Sequence, residues 1–206
     1  MLTLDDRVAS YARAFPEWRS SWPTVYADGA RPLMQGVWCF GQDYRNKSPY
    51  YGAYPANYLD RLAALFPEHA IKPDLLPLGT NVLHAFSGSL GVGPYDRCDL
   101  LQEAEYRCAV EDLPSRVTRR LLGYDFIVAD PPYGRSDAAK YGTPMVNKKN
   151  AISALAKVAK PRAYLAWLDT EWPMHRKDEW VTVGQIFIRR STQHRIRLLS
   201  IFERTA

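Results

Sequence analysis

The sequence predicts an α/β fold in which a mostly parallel sheet is joined, late in the chain, by an antiparallel pair of strands. Short apolar runs of strand length, such as residues 81–86, 126–129 and 163–168, alternate with segments whose apolar residues recur at helical spacing. This alternation favours a parallel sheet with right-handed crossovers. Two further β-rich runs, 181–188 and 196–202, are separated by a short basic segment, which favours an antiparallel pair.

The composition is typical of one globular domain with a substantial core. Of the 206 residues, 47% are hydrophobic and 24% are charged, and the net charge of +5 favours a polyanionic partner. The three cysteines form no C-x-x-C pair and the histidines show no ligand spacing, so we expect no disulfide framework and no metal. The acidic N-terminus and the absence of a long apolar run predict a cytoplasmic protein with no signal peptide and no membrane span.

We expect residues 1–45 to form an extension that packs on a core domain, residues 46–206. Apolar residues at helical spacing predict that the extension opens with an amphipathic helix: Leu4, Val8, Tyr11, Ala12 and Phe15. Residues 16–36 show little periodicity and are interpreted as an ordered arm, and residues 37–41 as a short strand or a buried turn. A second helix is predicted from Tyr58 to Phe66, where Pro67 ends it.

The most informative stretch is the apolar run 126–129 with the four residues that follow it, Asp130, Pro131, Pro132 and Tyr133. The two prolines cannot continue a central strand, so Asp130 should lie at the carboxyl end of a strand, where ligands bind in open α/β sheets. A carboxylate and prolyl carbonyls accept hydrogen bonds, and the tyrosine offers a flat ring. This combination suits a planar group with an exocyclic amine, such as adenine or cytosine.

A tight loop follows the predicted strand 81–86. Gly88 in this loop lets the backbone approach a ligand closely and adopt a positive φ. Asp99 should end the next strand, where two acceptor oxygens match the vicinal hydroxyls of a ribose, with Glu103 as a second choice.

Asp-Pro-Pro-Tyr after an apolar strand resembles the catalytic motif of the amino-methyltransferases, which transfer a methyl group from S-adenosylmethionine to the exocyclic nitrogen of a base. The order of the segments extends the resemblance over residues 45–204, and it implies a class I, Rossmann-like fold similar to small DNA adenine methylases of bacteria and phages. In the first motif of that family two glycines flank one residue. This chain departs from it, because the run is Phe86-Ser87-Gly88-Ser89 and the next glycine is Gly91.

The resemblance implies a role for each of several residues. Asp130, Pro131, Pro132 and Tyr133 would be catalytic. The residues expected to bind S-adenosylmethionine, and its product S-adenosylhomocysteine, are Tyr51, Tyr54, Pro55, Phe86, Ser87, Gly88, Ser89, Asp99, Glu111, Asp112 and Asp130. Either Glu111 or Asp112 would accept a hydrogen bond from the cofactor's adenine amine.

Substrate contacts are expected from Tyr133 and from a polar loop, residues 134–149. The basic and aromatic groups of this loop suit phosphate contact and stacking: Arg135, Tyr141, Asn147 and Lys148. The basic segment 189–195 between the last two strands is interpreted as a solvated hairpin turn in preference to a substrate contact.

The predicted function is methylation of adenine N6 in DNA by a monomer or homodimer. Methylation of adenine or guanine in RNA, or of cytosine N4 in DNA, remains an alternative. A module of the same fold that binds nucleic acid without catalysis is a further one. No region between the motifs is long enough for a sizeable target-recognition domain. Sequence specificity must then come from the extension, the loop after Tyr133, the basic hairpin, a dimer or a partner, or else be low.

Overall fold

The computed structural model describes residues 2–27, 31–40, 54–55, 57–72, 81–117, 123–190 and 193–205. Within these ranges one sheet contains nine strands: β1 Thr24–Tyr26, β2 Leu33–Phe40, β3 Val82–Ala85, β4 Asp96–Asp99, β5 Tyr106–Arg107, β6 Tyr124–Ala129, β7 Ala159–Asp169, β8 Trp180–Arg190 and β9 Gln193–Arg204. The helices are α1 Leu4–Ala14, α2 Tyr58–Leu65, α3 Leu113–Arg116, α4 Arg135–Tyr141 and α5 Lys148–Val158. Two 3₁₀ turns, Arg19–Ser21 and Val110–Asp112, complete the described elements.

The strand order is β1-β2-β8-β9-β7-β6-β3-β4-β5. Strands β3 to β7 are mutually parallel, and their order β5-β4-β3-β6-β7 is the Rossmann arrangement in which the first strand lies at the centre. Strand β9 runs antiparallel to both β7 and β8, so the last pair of strands completes the sheet as the sequence predicts. The prediction of a Rossmann-like α/β fold with a mixed sheet is confirmed.

Strand β6 is buried on both faces, as expected of a central parallel strand. Phe126 and Val128 face the apolar cluster beneath α1 and α2, whereas Ile127 and Ala129 face the cluster beneath α5. Ala129 pairs with Ala85 on one side and with Trp167 on the other. Asp130 therefore stands one residue beyond the last paired position, between the ends of β3 and β7.

The N-terminal residues contribute strands to the sheet, so the interpretation of residues 16–36 as an ordered arm is corrected: they contain β1 and the beginning of β2. Strand β2 pairs in parallel with β8, with Met34 opposite Gly184, and β1 pairs antiparallel with β2. The ring of Tyr11 in α1 stacks on Trp38 with 5.6 Å between centroids. The predicted helix is confirmed as α1, whereas the proposed boundary at residue 45 lies outside the described residues.

Two further expectations need correction. Residues 134–149 are not one loop, because α4 occupies their centre and α5 begins at Lys148. Strand β7 begins at Ala159 and runs through Pro161, which was expected to precede the strand. The pairing of β6 with β7 is interrupted between Tyr124 and Phe126, and Arg162 has a φ of +64°, so the proline sits in a bulge where a ladder hydrogen bond is not needed.

Candidate active site

Asp130 and Tyr133 are in direct contact. The Tyr133 hydroxyl donates a hydrogen bond of 2.6 Å to Asp130 Oδ1, and the intervening Pro131 is buried. Burial, and then the charge of Asp130, raise the pKa of Tyr133 well above its ordinary value, so the phenol stays neutral and acts as a donor. The turn thus presents a half-buried carboxylate held in a fixed orientation.

Lys148 anchors the same turn from the start of α5. Its Nζ donates to the backbone carbonyl of Tyr133 at 3.1 Å and contacts both carboxylate oxygens of Asp169 at 2.9 and 2.8 Å. Asp169 ends β7, is fully buried, and accepts a further hydrogen bond from Trp167 Nε1 at 3.2 Å. The lysine that was expected to bind substrate therefore has internal partners that fix the position of Tyr133.

The other residues predicted to contact substrate surround this turn. Arg135 is exposed at the start of α4, and Tyr141 is half-buried at its end. Asn147 caps α5, because its side chain accepts a hydrogen bond of 3.1 Å from the backbone N–H of Asn150. Their roles toward a substrate remain predictions.

The glycine loop has a constrained backbone. Phe86 and Gly88 have φ values of +57° and +53°, and a bulky residue in the left-handed region is strained, a feature that concentrates at functional sites. The Ser87 N–H donates to the carbonyl of Cys98 in β4 at 3.1 Å. Its Oγ is buried and has no hydrogen-bond partner among the described residues. Such an orphaned hydroxyl beside a strand end is available to a ligand.

Asp99 connects the glycine loop to the turn after β4. Its Oδ2 accepts from the Gly88 N–H, and its Oδ1 accepts from the backbone N–H groups of Leu101 and Gln102, all at 2.9 Å. A carboxylate oxygen accepts about two hydrogen bonds. One acceptor position on Oδ2 therefore remains for a ribose hydroxyl, while most of the carboxylate builds the loop.

The remaining predicted cofactor residues follow strand ends at the same edge. Ser89 is exposed in the glycine loop, whereas Glu111 is half-buried and Asp112 exposed in the 3₁₀ turn after β5. Neither the exposure nor the hydrogen bonds decide between these two acids. Glu103, the second choice for the ribose, is exposed.

Two tyrosine side chains, Tyr54 and Tyr58, pack together at the start of α2. Tyr54 Oη lies 3.0 Å from His84 Nδ1 in β3, and the ring of Tyr54 stacks on Tyr58 with 5.6 Å between centroids. Burial, followed by the charge of Asp130, raises the pKa of both tyrosines. Tyr58 is fully buried and its hydroxyl has no partner within the described ranges. Pro55, which follows Tyr54, is buried, whereas Tyr51 lies outside the described residues.

Sequence reasoning assigned no site role to four side chains at this edge: Tyr58, Asp169, Arg195 and Arg197. Asp169 directly follows an apolar strand, which was a usable signal, and Arg195 belongs to the basic segment 189–195 that was interpreted as a solvated turn. Tyr58 follows the helical spacing of a core residue and Arg197 lies inside a strand, so no local pattern distinguishes these two.

The described residues contain no group of three His, Cys, Asp or Glu side chains placed to hold a metal ion. In the same part of the chain, none of the helices has the length and apolar character needed to cross a bilayer.

No protein-family model and no curated protein matches the chain. Among solved structures, TrmN from Thermus thermophilus is 16% identical with a TM-score of 0.42, over 61% of this chain and 44% of that chain. A SAM-dependent methyltransferase from Agrobacterium tumefaciens is 17% identical with a TM-score of 0.41, over 92% of this chain and 72% of that chain. RsmC, a 16S rRNA methyltransferase of T. thermophilus solved with AdoMet and guanosine, is 14% identical with a TM-score of 0.34, over 89% of this chain and 45% of that chain.

The chain thus spans less than half the length of TrmN and of RsmC. Likenesses this distant do not define a reaction. What the chain does has to be inferred from its own residues.

Proposed function

We propose that the protein transfers a methyl group from S-adenosylmethionine to the exocyclic amine of a nucleobase. The observation that carries the proposal is the position of Asp130 and Tyr133, 2.6 Å apart and immediately beyond the end of a central parallel strand. Ligands of open α/β sheets bind at this edge. Pro131 and Pro132 lie between these residues and have no backbone N–H. No neighbouring N–H therefore competes for the prolyl carbonyls, which favours their acceptance of hydrogen bonds from an amine.

The residues beside Asp130 fit the methyl donor. The glycine loop and the buried, unpartnered Ser87 hydroxyl suit the polar amino-acid end of S-adenosylmethionine. The remaining acceptor position of Asp99 suits a ribose hydroxyl, and Glu111 or Asp112 suits the adenine amine. When bound there, the donor supplies an electrophilic methyl group on sulfur and leaves as S-adenosylhomocysteine.

The acceptor amine is a poor nucleophile, because its lone pair is delocalised into the ring of the base. In the proposed mechanism, Asp130 and the carbonyl of Pro131 accept hydrogen bonds from its two N–H groups and so favour a pyramidal nitrogen whose lone pair faces the methyl group. The carbon–sulfur bond breaks as the carbon–nitrogen bond forms, and the methylated nitrogen then loses one proton by way of the Asp130 carboxylate. Transfer is direct and in line. Positioning and charge stabilisation supply most of the acceleration, and Tyr133 stacks on the base, which leaves the helix first if the substrate is a duplex.

Within this proposal, adenine N6 in DNA is the first candidate, because aspartate before Pro-Pro favours adenine by analogy with the family that the motif resembles. The alternatives are adenine or guanine in RNA and cytosine N4 in DNA. A catalytically silent module that binds nucleic acid is the alternative from another class, and the contact between Asp130 and Tyr133 disfavours it.

The test is transfer of a radiolabelled methyl group to separate DNA, RNA and protein pools, followed by nucleoside analysis of the product. The purified protein should label one nucleic-acid pool, and the label should appear as one methylated base. Asp130→Asn keeps the shape of the side chain and removes its charge. It should lower turnover by about a hundredfold or more and leave the cofactor affinity measured by calorimetry nearly unchanged, because Asp130 is only one of the residues expected to contact the cofactor.

Cofactor binding by the wild type without transfer to any pool would support the silent module. If Asp130→Asn weakens cofactor binding as much as it weakens turnover, the assigned role of the carboxylate is wrong.

A further inference from the structure

The hairpin that joins β8 to β9 lies at the same edge of the sheet as Asp130. Strand β8 is parallel to β7, since both run antiparallel to β9, so its carboxyl end and the beginning of β9 reach the edge where β6 ends. Only β7 separates β9 from β6 in the sheet. A side chain near the beginning of β9 is therefore able to reach the turn that carries Tyr133.

Two arginines of β9 make this contact. The guanidinium carbon of Arg197 lies 5.1 Å from the centroid of the Tyr133 ring, and that of Arg195 lies 5.6 Å from it. These distances are in the outer part of the cation–π range, so both cations lie close to the ring. The hairpin arginines are thus ordered around the residue proposed to stack on the target base, which is not expected of a merely solvated turn.

A salt bridge fixes the hairpin against α4. Arg195 Nη1 lies 2.9 Å from Asp137 Oδ2, and the Arg195 side chain remains 47% exposed. Exposed Arg189 in β8 and exposed Arg135 in α4 add further positive charge at this edge. Asp137 is the acid paired with Arg195, and among the described residues no acid forms an ion pair with Arg135, Arg189 or Arg197, so these arginines keep positive charge at this edge.

We infer that Arg195 and Arg197, together with Tyr133, form the phosphate-binding side of the substrate cleft, and that the occupant is a nucleic-acid strand. This inference rests on the proposed function and specifies its substrate as a polymer, not a free nucleoside. The planar guanidinium group presents paired donors that match two oxygens of a phosphate. A base inserted beside Tyr133 would bring its flanking phosphates within reach of these two arginines.

Binding through phosphates has a quantitative signature. Each phosphate neutralised by a cationic side chain releases counterions, so the logarithm of the binding constant falls with the logarithm of the salt concentration, by about 0.9 per contact for duplex DNA and about 0.7 for a single strand. Arg195→Gln and Arg197→Gln should each reduce that slope by about one contact. The double variant should reduce it by about two contacts.

The experiment measures fluorescence anisotropy of labelled single-stranded and duplex oligonucleotides between about 50 and 200 mM salt. Arg176→Gln is the matched control, because Arg176 is 57% exposed and pairs with Asp178 just before β8 begins, at the opposite edge of the sheet. It should leave the slope unchanged. Calorimetry with S-adenosylmethionine should give one affinity for the wild type and all variants.

Arg197→Lys provides a second variant in case removal of the charge disturbs the packing on Tyr133. This variant should keep the wild-type salt dependence but bind more weakly, because an ammonium group carries the charge but lacks the planar, paired donors of a guanidinium group. Equal slopes for wild type, Arg195→Gln and Arg176→Gln would overturn the inference. So would oligonucleotide binding with no dependence on salt.

Failure of the inference is distinguishable from failure of the proposed function. If methyl transfer to nucleic acid is observed but the arginine variants keep the wild-type slope, only the assignment of the phosphate-binding surface is wrong. If the arginine variants reduce the slope but no pool is methylated, the phosphate-binding surface is supported and the proposed enzymatic activity is wrong.

Discussion

Lys148 holds the fully buried carboxylate of Asp169 at 2.8 Å and, through the same ammonium group, the backbone carbonyl of Tyr133 at 3.1 Å. One cation therefore connects the end of β7 to the turn that follows β6. Its side chain is 15% exposed, so both members of the ion pair are shielded from solvent. Removing one member of a shielded pair strands the other charge, which costs more than the pair itself contributes.

Lys148→Met should destabilise the protein by about 3 kcal/mol or more, because it leaves the Asp169 carboxylate buried without its counter-charge. Urea unfolding measures the loss. Lys149→Met is the control, since the exposed neighbouring lysine should change stability by less than about 0.5 kcal/mol. The double variant Lys148→Met, Asp169→Leu should lose less than the sum of its parts. Additive losses would mean that the two side chains are not energetically coupled.

The two functions of Tyr133 can be separated by substitution. Tyr133→Phe keeps the ring and loses the hydrogen bond to Asp130, so kcat/KM should fall by about tenfold or less, the equivalent of one hydrogen bond. Tyr133→Ala also loses the stacking surface, which is worth about 1–3 kcal/mol per base, so kcat/KM should fall at least about fivefold further. Steady-state kinetics on the labelled nucleic-acid pool measure both. Equal losses in the two variants would contradict stacking.

Phenylalanine substitutions at Tyr54 and Tyr58 compare the contributions of the two hydroxyl groups to stability. Tyr54→Phe removes the partner of His84 Nδ1 and should cost about 1 kcal/mol. Tyr58→Phe removes a fully buried hydroxyl that has no partner among the described residues, so stability should be unchanged or slightly higher. Urea unfolding of the two variants decides this. A larger loss in Tyr58→Phe than in Tyr54→Phe would show that the Tyr58 hydroxyl is hydrogen-bonded in the free protein.

Stability should decrease as the pH falls from 6.5 to 5. Burial lowers the pKa of His84 to about 3 and that of His69 to about 4. In this window the unfolded chain binds protons at both histidines and the folded protein does not, so the slope is positive, up to about 1.4 kcal/mol per pH unit for each residue. In the folded protein, the carboxylates whose pKa is lowered stay ionised between pH 6.5 and 5. In His84→Asn the stability should depend on pH about half as steeply. If the slope is unchanged, groups other than His84 cause the pH dependence.

The centre of the sheet was predictable because its signals are local. The run 126–129 has the length and composition of a buried strand, and Pro131 and Pro132 mark its end within one residue, so the position of Asp130 followed from adjacent residues alone. The glycine loop and the acid that ends β4 were found in the same way. Each required only the identity of a residue and its distance from a strand end.

The missed features depend on residues far apart in the sequence. Residues 37–41 were interpreted as a short strand or a buried turn, but the first half of β2 was not recognised, because Gly36 and the exposed Val37 weaken its alternation and its pairing with β8 is not encoded locally. The ion pair of Lys148 with Asp169, 21 residues away, has no local signal either. Arg197 contacts Tyr133 across β7, and nothing in the sequence around either residue indicates it.

The pairing of β2 with β8 brings together residues 150 positions apart, as Gln35 and Gln185 illustrate. During synthesis, β2 has no parallel neighbour until most of the polypeptide has left the ribosome, and contacts of such long range form slowly. Deleting the extension would leave β8 as a long uncovered edge, available for pairing with other chains. The N-terminal strands therefore cover an edge of the sheet that would otherwise be open to pairing between molecules.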